Sequence, residues 1–351
     1  MRLHVTDLKP GQLLENDAFN HSGVQLMPAG SLLNDSDINR LKLHGIDYVD
    51  IADSVQLPVF PAPVVTSSPG ESLMKLVPLF DTTMAGTATI FKQAMNSGTI
   101  AMNQVDELLQ PMTEQLVEQK DVVSLLLLLD RDDEYTYNHS VQVGILTYYM
   151  ASWLGYSEED CYNISKAGYL IDIGKSVVPQ ELLHKPGKLS PEEFRVMKKH
   201  AKQGHDIILA STGNELLALP ALQHHEREDG SGYPYGLRKD DIHPYSRIAA
   251  VADVYSAMTT NRVYQSKQEY ISVLCELYGL SFGQLNAEVT QSFIKHLLPN
   301  FIGKKVLLTT GDTGLIVLNN PNDYFRPLVK SPHGFIDLAK HRYIAIVEIY
   351  I

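Results

Sequence analysis

His224-His-Glu-Arg-Glu-Asp-Gly-Ser-Gly-Tyr-Pro234 is the most informative stretch of this chain. Two adjacent histidines close the apolar run Leu216-Leu-Ala-Leu-Pro-Ala-Leu-Gln and lead into a turn of acids, glycines and a proline. Glycine and proline at that density fix a tight, non-repetitive backbone, so the imidazoles stand where a helix gives way to a shaped loop. The whole chain has 13 histidines among 351 residues, which makes metal-ligand spacing the first property to test.

Moving outward, two carboxylates stand where a plain helix would not place them. Asp172 lies in Gly168-Tyr-Leu-Ile-Asp-Ile and Asp253 in Ile248-Ala-Ala-Val-Ala-Asp-Val-Tyr, both apolar on nearly every side. A buried, unpaired carboxylate costs several kcal/mol, so each needs a cation, a donor set or a metal. Taken singly, such an acid is more often a satisfied structural residue, and a lone histidine is more often core or surface than ligand. The candidates that could converge on these acids are His139, ahead of an apolar helix, His200, and the pair His224 and His225. Neutral imidazoles with carboxylates suit Fe, Mn, Zn or Ni better than Mg or Ca. Spacing by itself supports a helical metal site and goes no further.

The chain divides by composition. Residues 1–52 read as a small module of short strands and a helix, with Gly11, Gly23 and Gly30 between apolar residues. Residues 53–70 carry Pro58, Pro61, Pro63 and Pro69 among Ser, Thr and Val, the composition of a linker. Residues 71–300 are helical in pattern. Ser157 caps a helix running toward Asp172, and Ser190-Pro-Glu-Glu193 is a capping box opening a helix from Phe194 to about Leu209. Ser246 is expected to cap another that reaches about Met258. Residues 301–351 return to strand logic, with Gly311-Asp-Thr-Gly314 as a hairpin signal. The fold class expected is mainly α: a helical bundle with a small N-terminal α/β module and a β-rich C-terminal extension.

Composition excludes several classes. Hydrophobic residues at 44% and charged residues at 20% describe a globular chain. The longest aliphatic run, Leu125 to Leu129, is far short of the ~20 residues a membrane span needs, so no membrane is expected as a partner. A net charge of −12 argues against DNA or RNA as partners, while leaving room for a small phosphate-bearing ligand. With Cys161 and Cys275 alone, and no signal-peptide pattern at the N-terminus, the expected compartment is the reducing cytoplasm. An apolar stripe at Leu108, Leu109, Met112 and Leu116 either packs within its own domain, the preferred reading, or offers a face to a second copy in a homodimer.

The signature turn, together with Asp172-Ile-Gly-Lys175, Lys185-Pro-Gly-Lys-Leu-Ser-Pro-Glu-Glu and Ala252-Asp-Val-Tyr, resembles the HD-GYP branch of the HD phosphohydrolases over about residues 125–270. That resemblance implies a helical bundle holding two or three metals, often iron or manganese, and hydrolysing cyclic dinucleotides, chiefly cyclic di-GMP. It implies His139, Asp172 and Asp253 at one metal, and Asp172 as bridge with His200, His224 and His225 at the other. Asp172 and Lys175 would be catalytic, with Lys175 also meeting substrate beside Asp133 and Arg262. The departures weigh equally. The family's His-Asp pair is here Ile171-Asp172, which removes a donor from the site of His139 and Asp253. Tyr135 stands where three-metal members have Glu, and Gln265 and Val263 alter a phosphate-gripping string. One metal is therefore expected to be held firmly and the other weakly. Hydrolysis of a cyclic dinucleotide is the favoured function; a degenerate domain that senses cyclic di-GMP or scaffolds a partner is the alternative, and action on another nucleotide the third.

Overall fold

The computed structural model describes residues 69–129, 135–259, 270–320 and 323–350, and parts of 2–51. The chain separates into two compact units, Met1–Thr66 and Ser67–Ile351. In the first, β1 (Arg2–His4) pairs antiparallel with β4 (Tyr48–Asp50), and β2 (Ala18–Phe19) pairs with β3 (Gln25–Met27). Leu14, Leu33, Leu41, Val49 and Ile51 form its core. The expected linker lies almost wholly outside the described residues.

The second unit opens with α1 (Pro69–Ser97), α2 (Met102–Leu116) and α3 (Val122–Leu129). Leu109, Met112 and Leu116 are all buried within this unit, so the apolar stripe is spent on its own domain. Two further helices follow, α4 (Tyr135–Trp153) and α5 (Glu158–Tyr169). They approach closely because their contact is built of small residues. A methyl on Gly168 would fall 2.4 Å from Thr147 Oγ1, and Ser165 Oγ donates to Gly144 O at 2.9 Å. Between Asn138 and Tyr149 only Tyr148 of α4 reaches partial exposure, so this helix is central and lacks an amphipathic signature. Ser157 caps α5 as expected, accepting from the Asp160 amide.

After a 3-10 turn at Ile173–Val177 come α6 (Gln180–Leu183), α7 (Pro191–Met197), α8 (Lys199–Thr212) and α9 (Glu215–Gln223). The capping box at Ser190 is present with both of its hydrogen bonds. The single helix expected after it is instead two, broken at Lys198, which places His200 at the start of α8 and not midway along a longer helix. Next is α10 (Pro244–Thr259). Ser246 is not its cap: it is buried inside the first turn, and His243 Nδ1 accepts from the Tyr245 amide instead. The helical part ends with α11 (Tyr270–Leu280) and α12 (Ala287–Leu297). Among the described residues no helix is long and apolar enough to cross a membrane.

The C-terminal strands β5 (Lys305–Leu308), β6 (Thr313–Asn320), β7 (Asp323–Ser331), β8 (Gly334–Asp337) and β9 (Ile346–Tyr350) form one antiparallel sheet in the order β8-β7-β6-β5-β9. The expected hairpin joins β5 to β6. This sheet is tied back to the helices. Lys304 Nζ reaches Asp121 Oδ2 at 2.5 Å, and Asn300 Oδ1 accepts from the Val122 amide at 2.8 Å.

Candidate metal centre

Asp172 is placed by the end of α5. The chain leaves that helix at Leu170 and winds into the 3-10 turn, with Asp172 as the residue before it. Two glycines set how near α8 can come. A methyl on Gly174 would lie 2.0 Å from His200 O, and Gly204 packs against Gly174 from the other side. Backbone thus touches backbone, and His200 is brought over Asp172. His224 is delivered by the C-terminus of α9 and Asp253 by α10.

The structure brings together six of the residues singled out in the sequence: His139, Asp172, His200, His224, His225 and Asp253. His139 Nε2 lies 3.1 Å from Asp253 Oδ1 and 3.6 Å from Asp172 Oδ2. Asp172 Oδ1 faces His200 Nε2 at 3.4 Å and His224 Nε2 at 3.8 Å. His225 Nδ1 is 3.9 Å from Asp253 Oδ2. Lys175 adds a cation, with Nζ 2.5 Å from Asp172 Oδ2. Asp133 and Arg262 lie outside the described residues, as do Val263 and Gln265 and the side chain of Tyr135.

Hydrogen bonding decides what the pocket can hold. His200 Nδ1 donates to Met197 O at 2.7 Å and His224 Nδ1 donates to Pro220 O at 3.0 Å. Each ring therefore carries its proton on the far nitrogen, and its Nε2 is a bare lone pair. Those two lone pairs face each other across 3.4 Å. Both also face Asp172 Oδ1, a fully buried oxygen that accepts no hydrogen bond. Electron-pair donors pointed at one another without a proton between them repel, and a buried acceptor left bare is costly. A cation resolves both problems. One ligand atom from each of His200, His224 and His225 lies within 4.8 Å of the others, a donor set suited to a divalent transition metal.

The charge states agree. Burial lowers the pKa of His200 to about 4, and also lowers those of His224 and His225, so all three imidazoles are neutral at pH 7 and free to donate. Burial pushes the Asp172 carboxyl up, but the Lys175 ammonium and the surrounding imidazoles outweigh it and hold the group well below the usual range. For His200 the sign with pH follows directly. Its folded pKa of about 4 lies below the free value of 6.5, so the unfolded chain takes up the proton first as pH falls. Its contribution is complete above pH 6.5 and is lost toward pH 4. We predict that metal-free protein loses about 3 kcal/mol of stability between pH 7 and pH 4 from this residue alone. Urea unfolding at stepped pH measures it, and a flat profile would contradict a buried neutral His200.

Residues of the signature turn to which the sequence assigned no role complete the centre. Glu226 is buried and accepts from the Tyr235 and Leu237 amides at 2.7 and 2.9 Å, which folds the signature turn around one carboxylate. Arg227 Nη1 donates to His224 O and Glu226 O. A methyl on Gly232 would meet the Arg227 amide at 2.4 Å, so the turn closes on its own start. This lays the Tyr233 ring on His225, with centroids 4.5 Å apart. The acid in the signature string was visible as a residue; its bonds to amides nine and eleven positions away were not.

Comparison with known proteins agrees with this architecture. A family model described as HD domain matches residues 124–277, which include all six clustered residues. The chain is 28% identical over 349 residues to the cyclic di-GMP phosphodiesterase PA4108 of Pseudomonas aeruginosa, covering 94% of this chain and 84% of the relative. It is 39% identical to a cyclic di-GMP phosphodiesterase of Thermotoga maritima over 178 residues, covering 50% of this chain and 48% of that protein. Among solved structures it resembles Bd1817, an HDG"Y"P protein from Bdellovibrio bacteriovorus, with a TM-score of 0.50 at 15% identity, over 84% of this chain and 97% of that one. At that identity the likeness is one of fold. The match to the HD domain family model covers residues 124–277 of the 351.

Proposed function

We propose that this chain is a metal-dependent phosphodiesterase that opens a cyclic dinucleotide, with cyclic di-GMP as the first candidate, to a linear dinucleotide or GMP. The observation that carries the reading is the convergence of His200 Nε2, His224 Nε2 and the unbonded Asp172 Oδ1 on one buried point. Relatives named as cyclic di-GMP phosphodiesterases supply the substrate class.

Iron or manganese held by Asp172, His200, His224 and His225 would supply Lewis acidity toward a phosphoryl oxygen and toward water. Asp172 shares its two oxygens between this position and a second one, where His139 and Asp253 stand. Ile171 is fully buried in the apolar core and offers no donor there, so the second position is the weaker. Lys175, whose side chain is 21% exposed, holds its ammonium 2.5 Å from Asp172 Oδ2. It can turn from Asp172 toward a non-bridging phosphate oxygen and neutralise charge as the transition state forms. Glu226 and the closed turn hold His225 and Tyr233 in place while this happens.

The test is turnover of cyclic di-GMP by anaerobically purified protein supplied with Fe(II) or Mn(II), with products separated by chromatography. Linear dinucleotide or GMP is the expected outcome. The alternative is a receptor, favoured by the buried isoleucine at position 171. Binding of intact cyclic di-GMP without turnover, together with turnover gained by Ile171→His, would replace the enzyme reading with that one.

A further inference from the structure

Ser256 lies on α10, one turn beyond Asp253, and is fully buried. Its Oγ donates to Gln142 Oε1 at 3.0 Å and lies 3.0 Å from His139 Nδ1. Gln142 is itself buried on α4, one turn after His139. A hydroxyl has one proton to give. With that proton on Gln142, the oxygen can meet His139 only as acceptor, so Nδ1 carries the ring proton. In the neutral ring Nε2 is then a lone pair, aimed at the space between Asp253 Oδ1 and Asp172 Oδ2.

We propose that Ser256, oriented by Gln142, is a positioning residue that fixes the His139 tautomer able to bind a cation, and that its neutral hydroxyl sets how tightly the second position holds one. The inference rests on the metal reading of this cluster. The chain of bonds has a direction. Were it reversed, with the Gln142 amide giving to Ser256 and Ser256 giving to Nδ1, Nε2 would carry the proton and point it at Asp253, leaving no lone pair for a cation. A partner on the distal nitrogen also tunes the donor strength of the proximal one, and a carboxylate does so more strongly than a hydroxyl. A hydroxyl at this position therefore supports the second site less than a carboxylate would, in addition to the missing donor at residue 171.

The test uses the full chain with Mn(II) as probe. Ser256→Ala should weaken binding of the second equivalent of Mn(II) by about 10- to 100-fold, with the first equivalent unchanged. Ser256→Thr, which keeps the hydroxyl, should restore it. Ser256→Asp can only accept from Nδ1 and should tighten the second equivalent beyond wild type. Unchanged Mn(II) binding in Ser256→Ala, or equal weakening in Ser256→Ala and Ser256→Asp, would overturn the proposal. Nitrogen-15 NMR of His139 in Zn(II)-loaded wild-type protein separates this idea from the metal reading on which it rests. A proton on Nδ1 is expected there; Zn(II) taken up with the His139 proton on Nε2 refutes the tautomer, whereas no Zn(II) uptake at all refutes the metal reading instead.

Discussion

Asp172→Asn should abolish hydrolysis of cyclic di-GMP, by at least about 10³-fold in kcat, which corresponds to roughly 4 kcal/mol of barrier. The substitution keeps the size of the side chain and removes its charge. Each oxygen of Asp172 has its own part: Oδ1 faces the point shared with the Nε2 atoms of His200 and His224, and Oδ2 meets Lys175 and faces His139. An amide offers one acceptor where two are needed, and leaves Lys175 with no carboxylate partner. Metal content measured on the same preparations should fall with activity. Cooperative thermal unfolding should persist, because the apolar packing around the turn is untouched. Activity within tenfold of wild type in Asp172→Asn would remove Asp172 from the centre of the mechanism.

The largest effect on stability is expected at a residue with no side chain. In Gly174→Ala the new methyl would sit 2.0 Å from His200 O and 2.5 Å from the Gly204 amide nitrogen. Neither neighbour is the end of a flexible side chain. Close-packed interiors do not yield an ångström or more without wider displacement, so α8 must shift away from the 3-10 turn, taking His200 with it. A loss of about 4 kcal/mol or more is expected, enough to leave the protein poorly folded or unfolded. Gly204→Ala is the control, since its nearest neighbours would be at 3.2 and 3.3 Å. Urea unfolding of the pair decides the point: equal destabilisation would mean that the contact at Gly174 is not the constraint described. Where Gly174→Ala retains measurable structure, its metal affinity should also drop, because the distance from His200 to Asp172 is fixed by this approach.

The helices and their starts were legible where the signal is local. Ser157 and Ser190 cap as their sequences indicate because an N-cap depends on three or four consecutive residues. Ser246 misled for the same reason: it has the right chemistry one turn too late, while Pro244 and the ring of His243 begin the helix. The break at Lys198 carries no glycine or proline to announce it. The histidines and acids of the centre were legible as a set because the glycine-rich turn and the apolar settings of Asp172 and Asp253 stand out in one dimension. The tautomers were not. They are fixed by Met197 O, Pro220 O and the Ser256 hydroxyl, and the last of these comes from another helix 117 residues away. Nor was the near contact of Gly174 with His200, since a glycine in a short turn reads as flexibility and here serves close approach.

The pairing of His139 with Asp253 spans 114 residues, from α4 to α10. During synthesis the N-terminal ligands leave the ribosome long before their partners do. His139, Asp172 and the imidazoles of α8 and α9 emerge while Asp253 and Ser256 are still untranslated or in the exit tunnel. Until α10 docks, His139 has neither its carboxylate nor the hydroxyl that orders its ring. Acquisition of the complete centre is therefore a late event in the life of the nascent chain, and a ribosome stalled before α10 would release a helical intermediate with an unfinished site.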